Sequence, residues 1–276
     1  MELSVVIRNS IKQLFKHILK LPFSMMGIEV AFLGKYNAKL KTDKVIIDKL
    51  FLQRYFKPDS RILLYYEGLK KANSVSADNF AKQCRFFSLQ QLVEFVLSKD
   101  LRGDFVECGC WKGHSAYVIS KILFDNNASK KLQFHIFDSF QGLSDKGLED
   151  KNERWEQNDE DIKHEKQQLS AAEDEAKNTL ADFEFVRLYK GWIPNRFWEI
   201  KNKHFSFVHI VVDLYQPTMD SLIFFYPRLL PGGVVVISDY GYTQFPGVKK
   251  AVDEFLNKTQ FNMFYAIPIG GCFIIK

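Results

Sequence analysis

From Gly103 to the end of this 276-residue chain, short apolar runs alternate with helix-length segments, and no other feature constrains the fold as much. Asp104 to Glu107, Leu132 to Phe137, Phe183 to Tyr189, Phe207 to Val212 and Gly233 to Ile237 read as five strands. The segments between them are long enough for crossover helices, notably Ser115 to Phe124 and Pro217 to Leu229. In the latter, Met219, Leu222, Ile223, Tyr226 and Leu229 keep helical spacing, with proline in the first turn. Parallel neighbours need such crossovers, so the alternation predicts an α/β fold with a doubly wound, mostly parallel sheet. Phe264 to Ile267 and Cys272 to Ile275 flank a Pro-Ile-Gly-Gly turn and predict an antiparallel edge pair at the C-terminus.

The first hundred residues read differently, as a helical N-terminal region (1–100) ahead of the sheet domain (101–276). Leu3, Ile7, Ile11, Leu14 and Ile18 share one helical face, while Arg8, Lys12, Lys16 and Lys20 recur every four residues on another. That basic amphipathic helix suits an anionic membrane surface, with oligomer or core packing as the rival use of its apolar stripe. A second helix spans Asn79 to Leu97 after a capping Ser or Asp among residues 76–78, and its stripe is Phe80, Cys84, Phe87, Leu92, Phe95 and Val96. Within the sheet domain, residues 144–177 form a charged insertion with 12 acidic and 6 basic side chains. Its net −6, against +5 for the whole chain, leaves +11 elsewhere. So little apolar content predicts a solvated helix or a cover over the site.

Composition narrows the class. Apolar residues make up 46% and charged residues 26%, with 26 Phe, which suits a chain that buries a sizeable core and excludes a disordered or fibrous one. The four cysteines, Cys84, Cys108, Cys110 and Cys272, show no C-x-x-C pair or zinc spacing, so a reducing cytoplasm is the expected location. The longest charge-free run, Thr259 to Ile275, carries Pro268, Gly270 and Gly271 and fits a hairpin, so a soluble protein is expected. Arg8 and Lys12 precede any apolar run long enough for a signal peptide, and none is expected. The basic remainder lacks a stripe interleaved with aromatics, so no nucleic-acid partner is expected.

In an open parallel sheet, ligands bind at the carboxyl ends of the strands. The residues there are Glu107-Cys-Gly-Cys-Trp-Lys-Gly113, Asp138-Ser139-Phe140, Asp213-Leu-Tyr215 and Asp239-Tyr-Gly241. The first is E-x-G-x-x-x-G rather than the dinucleotide pattern G-x-G-x-x-G. Gly109 and Gly113 let the backbone approach a ligand, and Glu107 repels a pyrophosphate but suits an ammonium or sulfonium group. That favours S-adenosylmethionine (SAM) over NAD. Asp138 ends the second strand, where a carboxylate can accept both ribose hydroxyls of an adenosine. The candidate cofactor-binding residues are therefore Glu107, Gly109, Gly113, Ser115, Asp138 and Ser139.

Five stretches together, Gly-Asp-Phe-Val-Glu-Cys-Gly-Cys-Trp-Lys-Gly (103–113), Phe-Asp-Ser-Phe-Gln-Gly-Leu (137–143), Lys-Gly-Trp (190–192), Val-Asp-Leu-Tyr-Gln-Pro-Thr (212–218) and Pro-Gly-Gly-Val-Val-Val-Ile-Ser-Asp-Tyr-Gly (231–241), resemble the macrocin O-methyltransferase family from about Asn79 onward. The resemblance implies a Rossmann-like SAM-dependent methyltransferase acting on a sugar hydroxyl of a glycan, nucleotide sugar or glycosylated natural product, with Asp213 at the position of the general base. It also implies magnesium, held by D-x-D-[LM]-Y after the fourth strand and D-D-Y after the fifth. This chain departs from both patterns. Val211 and Ser238 stand where two of the three carboxylates are expected, leaving Asp239 as a residual metal ligand or a plain hydrogen-bonding group.

Other readings stay open. Asp213 could instead cap the helix that follows it. His209 reads as a core histidine, and Trp111 and Trp192 as either stacking platforms or core. A SAM-binding protein without methyl transfer and a nicotinamide-dependent oxidoreductase are the two functional rivals. Oligomeric state is open, with a homo-oligomer compatible with the pattern.

Overall fold

The computed structural model describes residues 60–151 and 159–276. The basic amphipathic stretch 1–20 lies outside the described residues. Among the described residues seven α-helices and seven strands run in the order α1 (Ser60–Lys71), α2 (Phe80–Ser98), β1 (Asp104–Cys108), α3 (His114–Asp125), β2 (Phe134–Asp138), α4 (Asp159–Gln168), α5 (Glu173–Thr179), β3 (Val186–Lys190), β4 (Phe205–Ile210), α6 (Tyr215–Arg228), β5 (Leu229–Ile237), α7 (Pro246–Leu256), β6 (Met263–Ala266) and β7 (Cys272–Ile275).

The seven strands form one sheet in the order β3-β2-β1-β4-β5-β7-β6. β1 to β5 are mutually parallel, and β7 runs antiparallel to both of its neighbours, β5 and β6. The predicted mostly parallel sheet with a reversed C-terminal strand is what the chain forms. The order reverses at β1, with β2 on one side and β4 on the other, so the loops after β1 and β4 open into the crevice where ligands of such sheets bind.

Alternation along the strands divides the core into two layers. Phe105, Phe134, Ile136, Phe207, Val234 and Val236 pack with α1, α2 and α3. Val106, Cys108, Phe137, Val208, Ile210, Val235 and Ile237 pack with α6 and α7 on the other face. Each fully buried Phe here stabilises the fold by roughly 1.5 to 3 kcal/mol. Residues 60–276 form one compact unit, so α1 and α2 share this core with the sheet.

Several boundaries differ from the sequence reading. The α2 cap is Asn79, whose side chain accepts the Lys82 amide at 2.8 Å; Asp78 instead accepts the Tyr65 hydroxyl at 2.6 Å. Of the predicted α2 stripe Val96 is buried and Leu92 and Phe95 pack partly against the core, but Phe86, Leu89 and Val93 make up the rest of the buried apolar face, because apolar side chains surround this helix and spacing alone cannot choose a face. β3 begins at Val186 and β4 ends at Ile210, so Val211 to Asp213 are loop. β5 begins at Leu229, before the Pro-Gly-Gly stretch. Within the charged insertion Asp150, Glu165 and Ala176 are buried, so the segment is packed into the protein at those three points.

Candidate active site

Backbone pairing continues past the strand ends and fixes the loops. The amide of Gly109 donates to the Phe137 carbonyl at 2.8 Å, that of Val211 to the Cys108 carbonyl at 2.8 Å, and that of Ser238 to the Ile210 carbonyl at 2.9 Å. Gly109 has φ +83°, and a Cβ there would lie 2.0 Å from the Val211 carbonyl oxygen, so only glycine allows the β1 and β4 loops to close together. Gly113, at φ +87°, precedes α3 and abuts Thr179 of α5.

Glu107 is wholly buried at the end of β1 and faces His209 across the β1–β4 ladder. Its Oε1 accepts the Ser115 hydroxyl at 2.5 Å. Its Oε2 lies 3.7 Å from His209 Nδ1, and neither of these two buried atoms has a hydrogen-bond partner. His209 Nε2 pairs with the Ser238 hydroxyl at 3.2 Å, so His209 is a core histidine with one ring nitrogen unsatisfied. Such an orphaned acidic oxygen beneath a glycine loop is the kind of group a cationic ligand satisfies.

Asp138 is committed to the backbone. Its Oδ2 accepts the amides of Cys110 at 2.7 Å and Trp111 at 2.9 Å, and its Oδ1 accepts the amide of Phe140 at 2.7 Å. The carboxylate therefore ties the β1 loop to the β2 loop, and its remaining lone pairs are what a ribose could use. Ser139 Oγ accepts the Gln141 amide at 3.1 Å and shapes the same turn. Trp111 Nε1 donates to the Ser170 carbonyl at 3.1 Å, which joins the charged insertion to this loop.

At the ends of β4 and β5, Asp213 and Asp239 both adopt left-handed backbone conformations, at φ +60° and +64°. Phe140, after β2, does the same at +60°. Strained residues of this sort persist where the surrounding structure holds them, commonly at functional sites. Desolvation, then the neighbouring charge of Asp239, pushes Asp213 well above the usual carboxylate range, while Arg85 of α2 pulls it down. Asp213 nonetheless keeps part of its surface open to solvent.

The capping role is filled by another residue. Asp150 Oδ1, from the charged insertion, accepts the Tyr215 amide at the start of α6 at 2.8 Å, and Gly247 passes so close that a Cβ would lie 1.9 Å from that oxygen. Neither Asp150 nor Arg85 stands out in the sequence: the first is lost in a charged run, the second is a lone arginine on an apolar helix. Arg85 Nη1 lies 4.0 Å from Asp239 Oδ1.

Magnesium does not fit these residues. Val211 offers no side-chain oxygen, the Ser238 hydroxyl is engaged with His209, and of the two aspartates that remain Asp239 already has an arginine 4.0 Å away. Among the described residues no group of three or more His, Cys, Asp or Glu side chains could hold a metal ion.

A model of the macrocin O-methyltransferase family matches residues 74–266. The chain belongs to this family. It is 27% identical over 179 residues to demethyldecarbamoylnovobiocin O-methyltransferase of Streptomyces niveus, covering 63% of this chain and 66% of that protein. It is 28% identical over 178 residues to mycinamicin III 3''-O-methyltransferase of Micromonospora griseorubida, covering 63% of this chain and 68% of that protein. A third relative, from Streptomyces olivaceus, an O-methyltransferase of a rhamnosyl tetracenomycin, is 29% identical over 56% of this chain and 60% of its own. The chain thus aligns with about two thirds of the length of these macrocin-type relatives. Among solved structures, the O-methyltransferase NovP has the same fold, with a TM-score of 0.61 at 22% identity over 79% of this chain and 99% of that one. A calicheamicin methyltransferase reaches 0.51 at 16% identity over 77% of this chain and 91% of its own.

Proposed function

We propose that this protein is a SAM-dependent O-methyltransferase that methylates a sugar hydroxyl of a glycan, nucleotide sugar or glycosylated small molecule. The observation that carries the proposal is the juxtaposition, at one sheet edge, of the Glu107–Gly109–Asp138 loop system with a partly open Asp213. The activities of the relatives, on novobiocin, mycinamicin and rhamnosyl tetracenomycin precursors, support a sugar-bearing acceptor.

SAM supplies a methyl group made electrophilic by its sulfonium. Glu107, with its unsatisfied oxygen, provides negative charge under the site, and Gly109, Gly113, Ser115 and Ser139 shape the loops around it. Asp138 fixes the loops and accepts from the ribose. The acceptor oxygen attacks in line, the C–S bond breaks toward sulfur, and Asp213 takes the hydroxyl proton. A carboxylate with a raised pKa is the stronger base when ionised, and positioned proton transfer contributes about 10²- to 10⁴-fold to rate.

Calorimetry tests the cofactor. SAM should bind and NAD should not, and Asp138→Ala should weaken SAM by about one to two decades, the cost of a carboxylate accepting from two hydroxyls. Binding of NAD but not SAM refutes the reading and favours the oxidoreductase. Mass analysis of products from nucleotide sugars and glycans then separates methyl transfer from SAM binding alone.

A cytoplasmic place in polysaccharide or other glycan assembly is part of the proposal, as is peripheral membrane contact through residues 1–20. No described helix is long and apolar enough to cross a membrane. Support for the contact comes from the sequence, where Arg8, Lys12, Lys16 and Lys20 against Glu2 give a net +3. Each such cation contributes roughly 1 kcal/mol near an anionic surface. Vesicles containing phosphatidylserine should float the full chain far better than a chain beginning at residue 21; equal recovery excludes the membrane role and leaves oligomer packing.

A further inference from the structure

Resting on the methyltransferase reading, we propose that Arg85 is the cation of the active centre, holding the acceptor oxygen beside Asp213 where the family's pattern implies a metal ion. Three observations carry it. Arg85 reaches the carboxyl edge from α2, with Nη1 4.0 Å from Asp239 Oδ1 and 3.9 Å from where a Cβ on Gly270 would stand, in the β6–β7 turn. The guanidinium is therefore at the same edge as the two aspartates, although α2 belongs to a part of the chain outside the strand motifs. Its side chain is one quarter exposed, and among the described residues it donates no hydrogen bond: its only ion pair is the long one to Asp239. A guanidinium carries five donors in a fixed fork, so most of that capacity is available to a ligand. Finally, the donor set suits an arginine and not a magnesium ion, since Val211 and Ser238 leave two carboxylates where a weakly held divalent ion needs more.

The chemistry closes without a metal. As the acceptor oxygen attacks the methyl carbon, the O–C bond forms and the C–S bond breaks with its electron pair on sulfur, which becomes a neutral thioether. The proton passes from the hydroxyl to Asp213. Negative charge that builds on oxygen before the methyl arrives faces the Arg85 guanidinium. Arg85 also sets a positive charge beside this pair of aspartates.

Two independent experiments test the proposal. The first does not require methyl transfer: Mn²⁺ binding, read by electron paramagnetic resonance, in wild type, in V211D/S238D, and in R85A/V211D/S238D. Wild type should show no site tighter than millimolar. Restoring both carboxylates should create a site at least tenfold tighter when Arg85 is absent than when it is present, because the guanidinium stands in the cation's place. Equal Mn²⁺ affinity with and without Arg85, or tight binding by wild type, overturns the placement. The second uses the acceptor identified by product analysis. Arg85→Ala should lower kcat by at least a hundredfold with SAM affinity within about threefold of wild type, Arg85→Lys should keep more activity, and added methylguanidinium should partly rescue Arg85→Ala. A loss confined to SAM affinity or to thermal stability, without rescue, makes Arg85 a structural residue and overturns the catalytic role. If SAM itself fails to bind wild type, the methyltransferase reading fails, whereas the Mn²⁺ result still decides where Arg85 sits.

Discussion

Asp104, at the start of β1, shows how single groups away from the site hold the sheet together. Burial by itself raises its pKa, but His135 Nε2 at 3.0 Å, the Gln133 amide at 2.9 Å and Lys203 Nζ at 2.6 Å outweigh that cost and hold it at about 2. A carboxyl depressed in the folded state stabilises the protein above its unfolded pKa, near 4, and that stability is lost as pH falls toward 2. Asp104→Asn should therefore lower stability at pH 7 by about 2 kcal/mol and flatten the loss between pH 4 and 2. Urea unfolding across that range checks it; a variant with the wild-type pH profile contradicts the assignment. Asp213 is tuned in the opposite sense, pushed up because it is desolvated against another acid.

At the scale of elements, the strands were legible because apolar runs that end in an acid have few other uses, and Glu107, Asp138, Asp213 and Asp239 do fall at or just after the ends of β1, β2, β4 and β5. Their exact ends were less legible. Val211 and Val212 look like strand by composition, but the chain must turn there to bring the Val211 carbonyl against Gly109 and Asp213 into a left-handed conformation. Helix faces failed where apolar residues surround the helix, as in α2. The charged insertion hid its buried members because a densely charged run carries no periodic apolar signal. Asp150 is the clearest example: it caps α6 from 65 residues away and also accepts the Gly147 amide at 3.0 Å. Asp150→Ala should cost about 1 kcal/mol, with the loss concentrated in protection of the first turn of α6. Hydrogen exchange at Tyr215 and its neighbours reads this directly, and unchanged protection contradicts the cap.

For the whole molecule, the sheet's reversal of strand order at β1 gathers contributions that lie far apart in sequence: Arg85 from α2, Glu107 and Asp138 from the first half of the sheet, and Asp213 and Asp239 from the second. The left-handed aspartates and the unsatisfied Glu107 oxygen sit in that crevice, and the helices on both faces hold them there. Family membership predicts methyl transfer; this chain's own residues predict that the transfer uses a carboxylate base without magnesium. The most direct measurement is transfer of an isotopically labelled methyl group from SAM to a sugar acceptor in excess chelator, by wild type and by Asp213→Asn. The account predicts transfer by wild type at the same rate with chelator as with added magnesium, and a loss of about 10²- to 10⁴-fold in Asp213→Asn. Transfer that disappears with chelator and returns with magnesium, or that survives intact in Asp213→Asn, contradicts it.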